Sequence, residues 1–105
     1  MFELIKRLFT SGPAADYSEM IKNGGIILDV RSPGEFKGGH IKGSRNIPLN
    51  SLPANLKKLK SKDQPIITCC ASGMRSASAK SILQSNGYTN VYNGGGWRSL
   101  QNKIS

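Results

Sequence analysis

The segment from Ile66 to Ser76 combines a nucleophilic side chain with features that could activate it. An apolar run ends in two adjacent cysteines, Cys69 and Cys70, and a glycine-containing turn and a helix-forming stretch follow. A tight turn of this kind can direct several backbone N–H groups inward, and the following helix adds its positive N-terminal end. Because a thiolate is the anion that such a field favours, we predict that Cys70 is a nucleophile with a lowered pKa.

The turn and the start of the helix are expected to form an anion site around the Cys70 sulfur. The residues assigned to this site are Ala71, Ser72, Gly73, Met74, Arg75 and Ser76. Among them, Arg75 adds a positive charge with a forked set of donors, which suits an anionic substrate. Cys69 continues the Ile-Ile-Thr run, and we interpret it as a small buried hydrophobic residue.

Composition limits the classes of partner. The chain has 105 residues, enough for one domain, and its 15 lysines and arginines against 6 acidic residues give a formal net charge of +9. No RNP-like or zinc-finger pattern occurs, so we expect small anions or acidic proteins as partners and no nucleic acid. His40 is the only histidine, and the cysteines are adjacent, which does not match zinc-ligand spacing. No metal and no cofactor is therefore expected.

The N-terminal residues favour a separate amphipathic extension. Residues 2–9 have helical spacing of apolar side chains, but charged residues interrupt them, which disfavours a secretory signal. We predict an extension over 1–12, which could associate weakly with a membrane surface, and a catalytic domain over 13–105. No run approaches the roughly 18 apolar residues of a membrane span. Adjacent cysteines make a strained disulfide, so free thiols in a reducing, cytoplasmic compartment are expected.

Strand and helix patterns alternate along the chain and predict a three-layer α/β domain. Its parallel sheet would carry helices on both faces, and the ligand site would lie outside the carboxyl ends of the strands. The pattern also predicts a capping box at Asp16 and Glu19, a turn at 32–34 and a flexible turn at 93–96. The predicted strands are 26–30, 46–49, 66–69 and 88–92, and the predicted helices follow Asp16 and cover 52–60, 76–84 and 97–104.

Three separated motifs resemble the rhodanese-type sulfurtransferase family. Residues 28–49, LDVRSPGEFKGGHIKGSRNIPL, resemble its first signature, CASGMRS at 70–76 resembles its active-site loop, and Gly94 to Trp97 resemble a late Gly-Gly-Trp element. The resemblance covers residues 14–100. It implies a single-domain rhodanese with a central five-stranded, mostly parallel sheet.

By this resemblance, Cys70 accepts a sulfane sulfur from a donor such as thiosulfate and holds it as a persulfide. It then passes the sulfur to cyanide, a thiol or a protein cysteine. The loop N–H groups would stabilise the thiolate or persulfide, and Arg75 would help to hold the donor. Asp29, Arg31 and Glu35 are expected to form a buried hydrogen-bonded corner, and Arg31 is also assigned to substrate binding because it could face the pocket. The counterpart of His40 in the family is structural.

Alternatives remain open at this point. A rhodanese-fold sulfur carrier or interaction module without turnover would have the same motifs. Counted from Cys69, the spacing to Arg75 is the Cys-x5-Arg of phosphatases and arsenate reductases on the same scaffold, whereas counted from Cys70 it is one residue shorter. Ala71 stands where rhodaneses that prefer thiosulfate often carry a basic residue. This departure leaves the sulfur donor undetermined.

Overall fold

The computed structural model describes residues 16–104. The predicted extension over 1–12 and its helix over 2–9 lie outside these residues. Within the described range, the strands form one sheet in the order β2-β1-β3-β4, and every neighbouring pair is parallel. The strands are β1 (Ile26–Asp29), β2 (Arg45–Asn46), β3 (Ile66–Cys70) and β4 (Val91–Gly96).

The sheet has four strands in the described residues, one fewer than the family resemblance implied. Strand β2 is also shorter than the predicted 46–49. Beyond it, the Ile47 N–H still donates to the Asp29 carbonyl at 3.1 Å, and the Leu49 N–H donates to the Val30 carbonyl at 3.0 Å. Pro48 between them has no N–H to donate, and the chain turns into a 3-10 helix at Leu49. Strand β2 therefore ends at Asn46, and the chain follows β1 through these two bonds as far as Leu49.

Helices cover both faces of the sheet, as the alternating pattern predicted. One face packs against α1 (Tyr17–Lys22) and α4 (Trp97–Ile104), with Leu100 and Cys69 in its core. The other packs against α3 (Met74–Ser85) and the 3-10 segments, with Leu28 and Cys70 in its core. Half of the capping box predicted for α1 forms. The Asp16 side chain accepts from the Glu19 N–H at 3.0 Å, whereas the Glu19 carboxylate accepts from the Asn23 side chain at 3.4 Å rather than from the Asp16 N–H. These two cores confirm the three-layer architecture.

The amphipathic segment predicted as a helix over 52–60 is instead 3-10 in character. The structure has 3-10 helices at Leu49–Ser51 and Pro53–Lys58, with a kink at Asn55 (φ −120°, ψ 19°). The Asn55 side chain donates to the Ser51 carbonyl at 2.7 Å, which competes with regular helical bonding. Leu52 and Leu59 are nevertheless buried, so the apolar pattern correctly identified the face that meets the core.

Strand β4 begins and ends later than predicted. Tyr88 donates its N–H to the Leu83 carbonyl at the end of α3, and Thr89 donates to Lys62, so these residues do not join the sheet. The residues predicted as a flexible turn are strand residues instead. Asn93 pairs with Thr68, and after a bulge Gly96 pairs with Cys70. This register places 93–96 directly beside the end of β3.

Gly94 allows this close approach. A Cβ atom there would lie 2.8 Å from the Thr68 carbonyl oxygen and 2.8 Å from the Ile67 side chain. We expect Gly94→Ala to lower the free energy of unfolding by about 1–3 kcal/mol, because β4 would have to move away from β3. Urea unfolding measures the change, and the control is Gly34→Ala in α2 (Pro33–Lys37), where a Cβ meets nothing within 4 Å. Equal stability of the two variants would contradict the prediction.

Candidate active site

The Cys70 side chain is held by backbone N–H groups at the carboxyl end of β3. Gly73 donates to the sulfur at an N–S distance of 2.9 Å, and Ser76 donates at 3.3 Å. Helix α3 has no capping side chain from its N-cap residue, Gly73. The Cys70 sulfur thus takes the place that a capping oxygen occupies in other helices, where it receives N–H groups and the positive end of the helix dipole.

Gly73 gives the loop the conformation that aims these groups at the sulfur. Its φ of +112° lies in the left-handed region, which side chains with a Cβ disfavour. A Cβ there would also approach the Gly95 Cα at 3.6 Å, which is ordinary contact. The requirement for glycine is therefore one of backbone conformation rather than of space.

The environment lowers the pKa of the Cys70 thiol. Burial is the largest single influence and acts to raise it. The hydrogen bonds from Ser76, Gly73 and Ser72 together outweigh burial, so the pKa lies below that of an ordinary thiol. Arg75 makes no hydrogen bond to this sulfur. The hydrogen bonds to the thiolate come from neutral N–H and hydroxyl donors, as the turn geometry predicted, and Arg75 interacts with it through charge alone.

Cys69 has the opposite environment. Successive strand residues point to opposite faces of a sheet, and the Cys69 side chain lies in the core beneath α4 with no exposed surface. Burial, reinforced by the neighbouring Asp29 carboxylate, raises its pKa to about 12. The loop does not surround the Cys69 sulfur, so the Cys-x5-Arg spacing counted from this residue does not describe an anion site.

The lowered pKa of Cys70 and the raised pKa of Cys69 predict that an alkylating reagent modifies Cys70 selectively. We expect iodoacetamide to modify Cys70 with a pH midpoint below that of an ordinary thiol, because folding favours its thiolate, and the rate should fall as the pH falls through that lowered pKa. Cys69 should remain unmodified until the protein unfolds. Peptide mass mapping after alkylation across a pH series measures both. A midpoint for Cys70 at or above that of the urea-unfolded chain would contradict the prediction.

Arg75 is paired with an acidic residue from another element. Its Nη1 and Nη2 atoms donate to the two carboxylate oxygens of Glu35 at 2.7 and 2.9 Å. Sequence reasoning placed Glu35 in a buried corner with Asp29, and that expectation was wrong, since its carboxylate is partly exposed at the loop rim. The reason is its position in the first turn of α2, where it closes a capping box with Ser32.

The predicted corner between Asp29 and Arg31 is present. Arg31 is 4% exposed, and its Nε and Nη2 atoms donate to the Asp29 carboxylate at 2.7–3.1 Å. Its remaining bonds go to the carbonyls of Glu35 and Gly39, and the Trp97 ring lies 4.8 Å from its Cζ. These contacts tie β1 to α2 and α4. All of these contacts lie within the domain, and the role of Arg31 in substrate binding remains a prediction.

Comparison with known proteins identifies the relatives of this chain. The family model described as a rhodanese-like domain matches residues 13–103. The chain belongs to the rhodanese-like domain family. Two curated relatives are similar to it. Bacillus subtilis YqhL, an uncharacterised protein, is 42% identical over 79 residues, covering 74% of this chain and 62% of YqhL. The thiosulfate sulfurtransferase GlpE of Stutzerimonas stutzeri is 36% identical over 80 residues, covering 76% of this chain and 72% of GlpE.

A solved structure supports the same assignment. The human single-domain sulfurtransferase TSTD1 superimposes with a TM-score of 0.66 at 28% identity, covering 85% of this chain and 91% of that one. The rhodanese-like domain thus accounts for nearly all of the described residues. Among them, no helix is long and apolar enough to cross a membrane. No cluster of potential metal ligands occurs within residues 16–104 either.

Asn93 is a part of this rhodanese-like site that sequence reasoning missed. Its Oδ1 atom accepts from the Ser76 hydroxyl at 2.6 Å and from the Gly95 N–H at 3.0 Å. The Ser76 hydroxyl also lies near the Cys70 sulfur and 3.0 Å from the Gly73 carbonyl oxygen, and its single proton serves one of these acceptors at a time. Asn93 therefore links β4 to the residue that donates its N–H to the sulfur. Nothing in the local pattern distinguishes this asparagine from a turn residue, because its partner comes from α3.

The predicted loop residues are distributed between the sulfur and the solvent. Gly73 and Ser76 contact the sulfur most closely, and the Ser72 backbone N–H also acts on it although this residue is exposed. Ala71 is exposed, and Met74 is 80% exposed. His40 packs its ring on Phe36 at a centroid distance of 3.7 Å, with its Nδ1 atom 2.8 Å from the Phe36 carbonyl oxygen. These contacts are in keeping with the structural role expected of His40. The candidate site therefore comprises the Cys70 loop, its backbone donors and an exposed rim.

Proposed function

We propose that this protein is a sulfurtransferase that uses Cys70 as a covalent carrier of sulfane sulfur. The observation that carries the proposal is the Cys70 sulfur, which accepts two backbone N–H groups at the N-terminus of α3. This arrangement suits a thiolate and, equally, the anionic persulfide formed from it. The names of GlpE and TSTD1 support the same reaction class, and a cytoplasmic location is part of the proposal.

The proposed reaction has two displacement steps. With thiosulfate, the Cys70 thiolate attacks the outer sulfur, an S–S bond forms, and the original S–S bond breaks as sulfite leaves with its electron pair. An acceptor thiolate then attacks the outer sulfur of the Cys70 persulfide. The acceptor leaves as a persulfide, and the Cys70 thiolate is regenerated. Ping-pong kinetics follow from this sequence, because the first product departs before the acceptor reacts.

Intact mass spectrometry tests this function. We expect the protein to gain the mass of one sulfur atom after incubation with thiosulfate or an organic persulfide. Cyanide or a small thiol should remove this mass and generate thiocyanate or the thiol persulfide over many cycles. A sulfur adduct that forms once and is not passed to these acceptors would favour a carrier that serves one protein partner. No adduct from either donor would reject the proposal.

A further inference from the structure

We propose that Glu35 determines the donor preference of this site by neutralising Arg75, so that organic persulfides are favoured over the thiosulfate dianion. This inference rests on the proposed sulfurtransferase function. It assigns Glu35 a role in specificity, although Glu35 lies outside the loop and contacts no reacting atom. With an organic persulfide, the Cys70 thiolate attacks the outer sulfur, a new S–S bond forms, and the organic thiolate leaves with the electrons of the broken S–S bond.

The geometry of the ion pair is the first support. Arg75 uses both terminal nitrogens on Glu35, so its guanidinium fork is already occupied by a carboxylate. Glu35 is itself held in place, since its Oε1 atom also accepts from the Ser32 N–H and hydroxyl, each at 3.0 Å. The hydrogen bond from Arg75 and then that from the Ser32 backbone hold the pKa of Glu35 at about 2. The carboxylate is therefore charged whenever the thiolate can react.

The charge inventory of the loop is the second support. Arg75 is the only charged residue between Cys70 and Ser76, and Ala71 follows the cysteine. Arg31 is committed to Asp29 in its buried corner. A dianionic donor would thus approach a thiolate whose nearest loop cation is already neutralised. A donor with one negative charge or none loses less from that neutralisation, because the electrostatic energy scales with its charge.

The surface beside Arg75 is the third support. A groove of about 730 Å³ begins there and is lined largely by apolar side chains. Its apolar walls include Val30, Pro48, Leu49, Pro53 and Ile82. Such walls can contact the carbon part of an organic donor, whereas thiosulfate has no carbon to place there. The groove and the paired arginine therefore favour the same class of donor.

Donor kinetics of three proteins test the proposal: the wild type, Glu35→Gln and Glu19→Gln. The donors are thiosulfate and 2-hydroxyethyl persulfide, which carries at most one negative charge. We expect Glu35→Gln to raise kcat/KM for thiosulfate about five-fold at low ionic strength, mainly through KM, because Arg75 is released. The value for the persulfide should change by less than about two-fold, and 0.5 M salt should remove most of the gain. Glu19→Gln makes the same charge change at an exposed residue of α1, on the face of the sheet opposite α3, and should leave the donor ratio unchanged.

A second measurement separates this inference from the proposed function. Iodoacetate and iodoacetamide alkylate Cys70 by the same chemistry but differ by one negative charge. We expect Glu35→Gln to raise the ratio of their rates about two-fold, and this increase should be lost when Arg75→Gln is also present. This readout needs no sulfur transfer. If Glu35→Gln raised the alkylation ratio but no donor loaded sulfur onto Cys70, only the sulfurtransferase proposal would be rejected. An unchanged ratio, or an equal shift in Glu19→Gln, would overturn the role of Glu35.

Discussion

Replacing Cys70 with serine should abolish sulfur loading, whereas the same replacement at Cys69 should preserve it. The hydroxyl of serine is not ionised near neutral pH and cannot form a persulfide, so the covalent route is lost. We expect the turnover rate to fall by at least about a thousand-fold, as is usual when a covalent nucleophile is removed. The sulfur adduct in intact mass spectra and the rate of thiocyanate formation measure the effect.

Cys69→Ser is the matched control, because it makes the same chemical change one residue away. Its side chain lies in the other core of the domain, without exposed surface. A hydroxyl there would lower the free energy of unfolding by about 1–3 kcal/mol, so Cys69→Ala serves as a second control that adds no polar group. If either Cys69 variant lost the adduct while folded, and Cys70→Ser retained it, the assignment of the nucleophile would be wrong.

Gly73→Ala should cause the second-largest loss of activity. Its φ of +112° is unfavourable for alanine, and relaxing it would turn the Gly73 N–H away from the Cys70 sulfur. Loss of one such donor to a reacting anion typically costs about 100-fold or more in rate. The pKa of Cys70 should rise at the same time, because a hydrogen bond to the thiolate is lost. Single-turnover sulfur loading and the pH dependence of alkylation measure the two effects.

Gly43→Ala separates this effect from general strain. Gly43 also has a positive φ, +86°, and a Cβ there would meet no atom within 4 Å. Both alanine variants should lower the free energy of unfolding by about 1–2 kcal/mol, whereas only Gly73→Ala should change the Cys70 pKa and the rate. Normal loading by a folded Gly73→Ala protein would show that the Gly73 conformation does not position the sulfur site.

The paired arginines change the interpretation of the net charge of +9. Arg31 and Arg75 are the two arginines predicted to bind substrate, and each is bound to a carboxylate. The hydrogen bonds to the Cys70 sulfur come instead from the neutral N–H groups of Gly73 and Ser76. The excess positive charge therefore belongs to residues outside the Cys70 loop, where it can attract anionic partners through the long-range field of the protein.

Local patterns predicted much of the fold because the decisive information was close in sequence. The apolar runs at 26–30 and 66–69 form the two central strands, and Asp16 caps α1 as its spacing indicated. Predictions were wrong where tertiary contacts override local preference. Asn93 belongs to β4 because its register with Thr68 is set by packing between strands. At Asn55 a local contact is the cause instead, because its side chain bonds to the Ser51 carbonyl and kinks the segment predicted as a helix.

The sequence by itself determined which sulfur faces the loop. Alternation along a strand sends Cys69 and Cys70 to opposite faces, and a glycine three residues after Cys70 allows the turn that aims N–H groups at it. These features depend on residues within one continuous segment. For this reason, the position of the proposed nucleophile could be inferred before any contact was known.

Only the tertiary structure decided what the side chains around that sulfur do. Arg75 could have faced a donor, but the packing of α2 beside the loop brings Glu35, 40 positions away in sequence, within 2.7 Å of it. Asn93 reaches Ser76 only because β4 pairs with β3 through a bulge. Such contacts depend on how separate elements pack, and no local propensity encodes the distance between them.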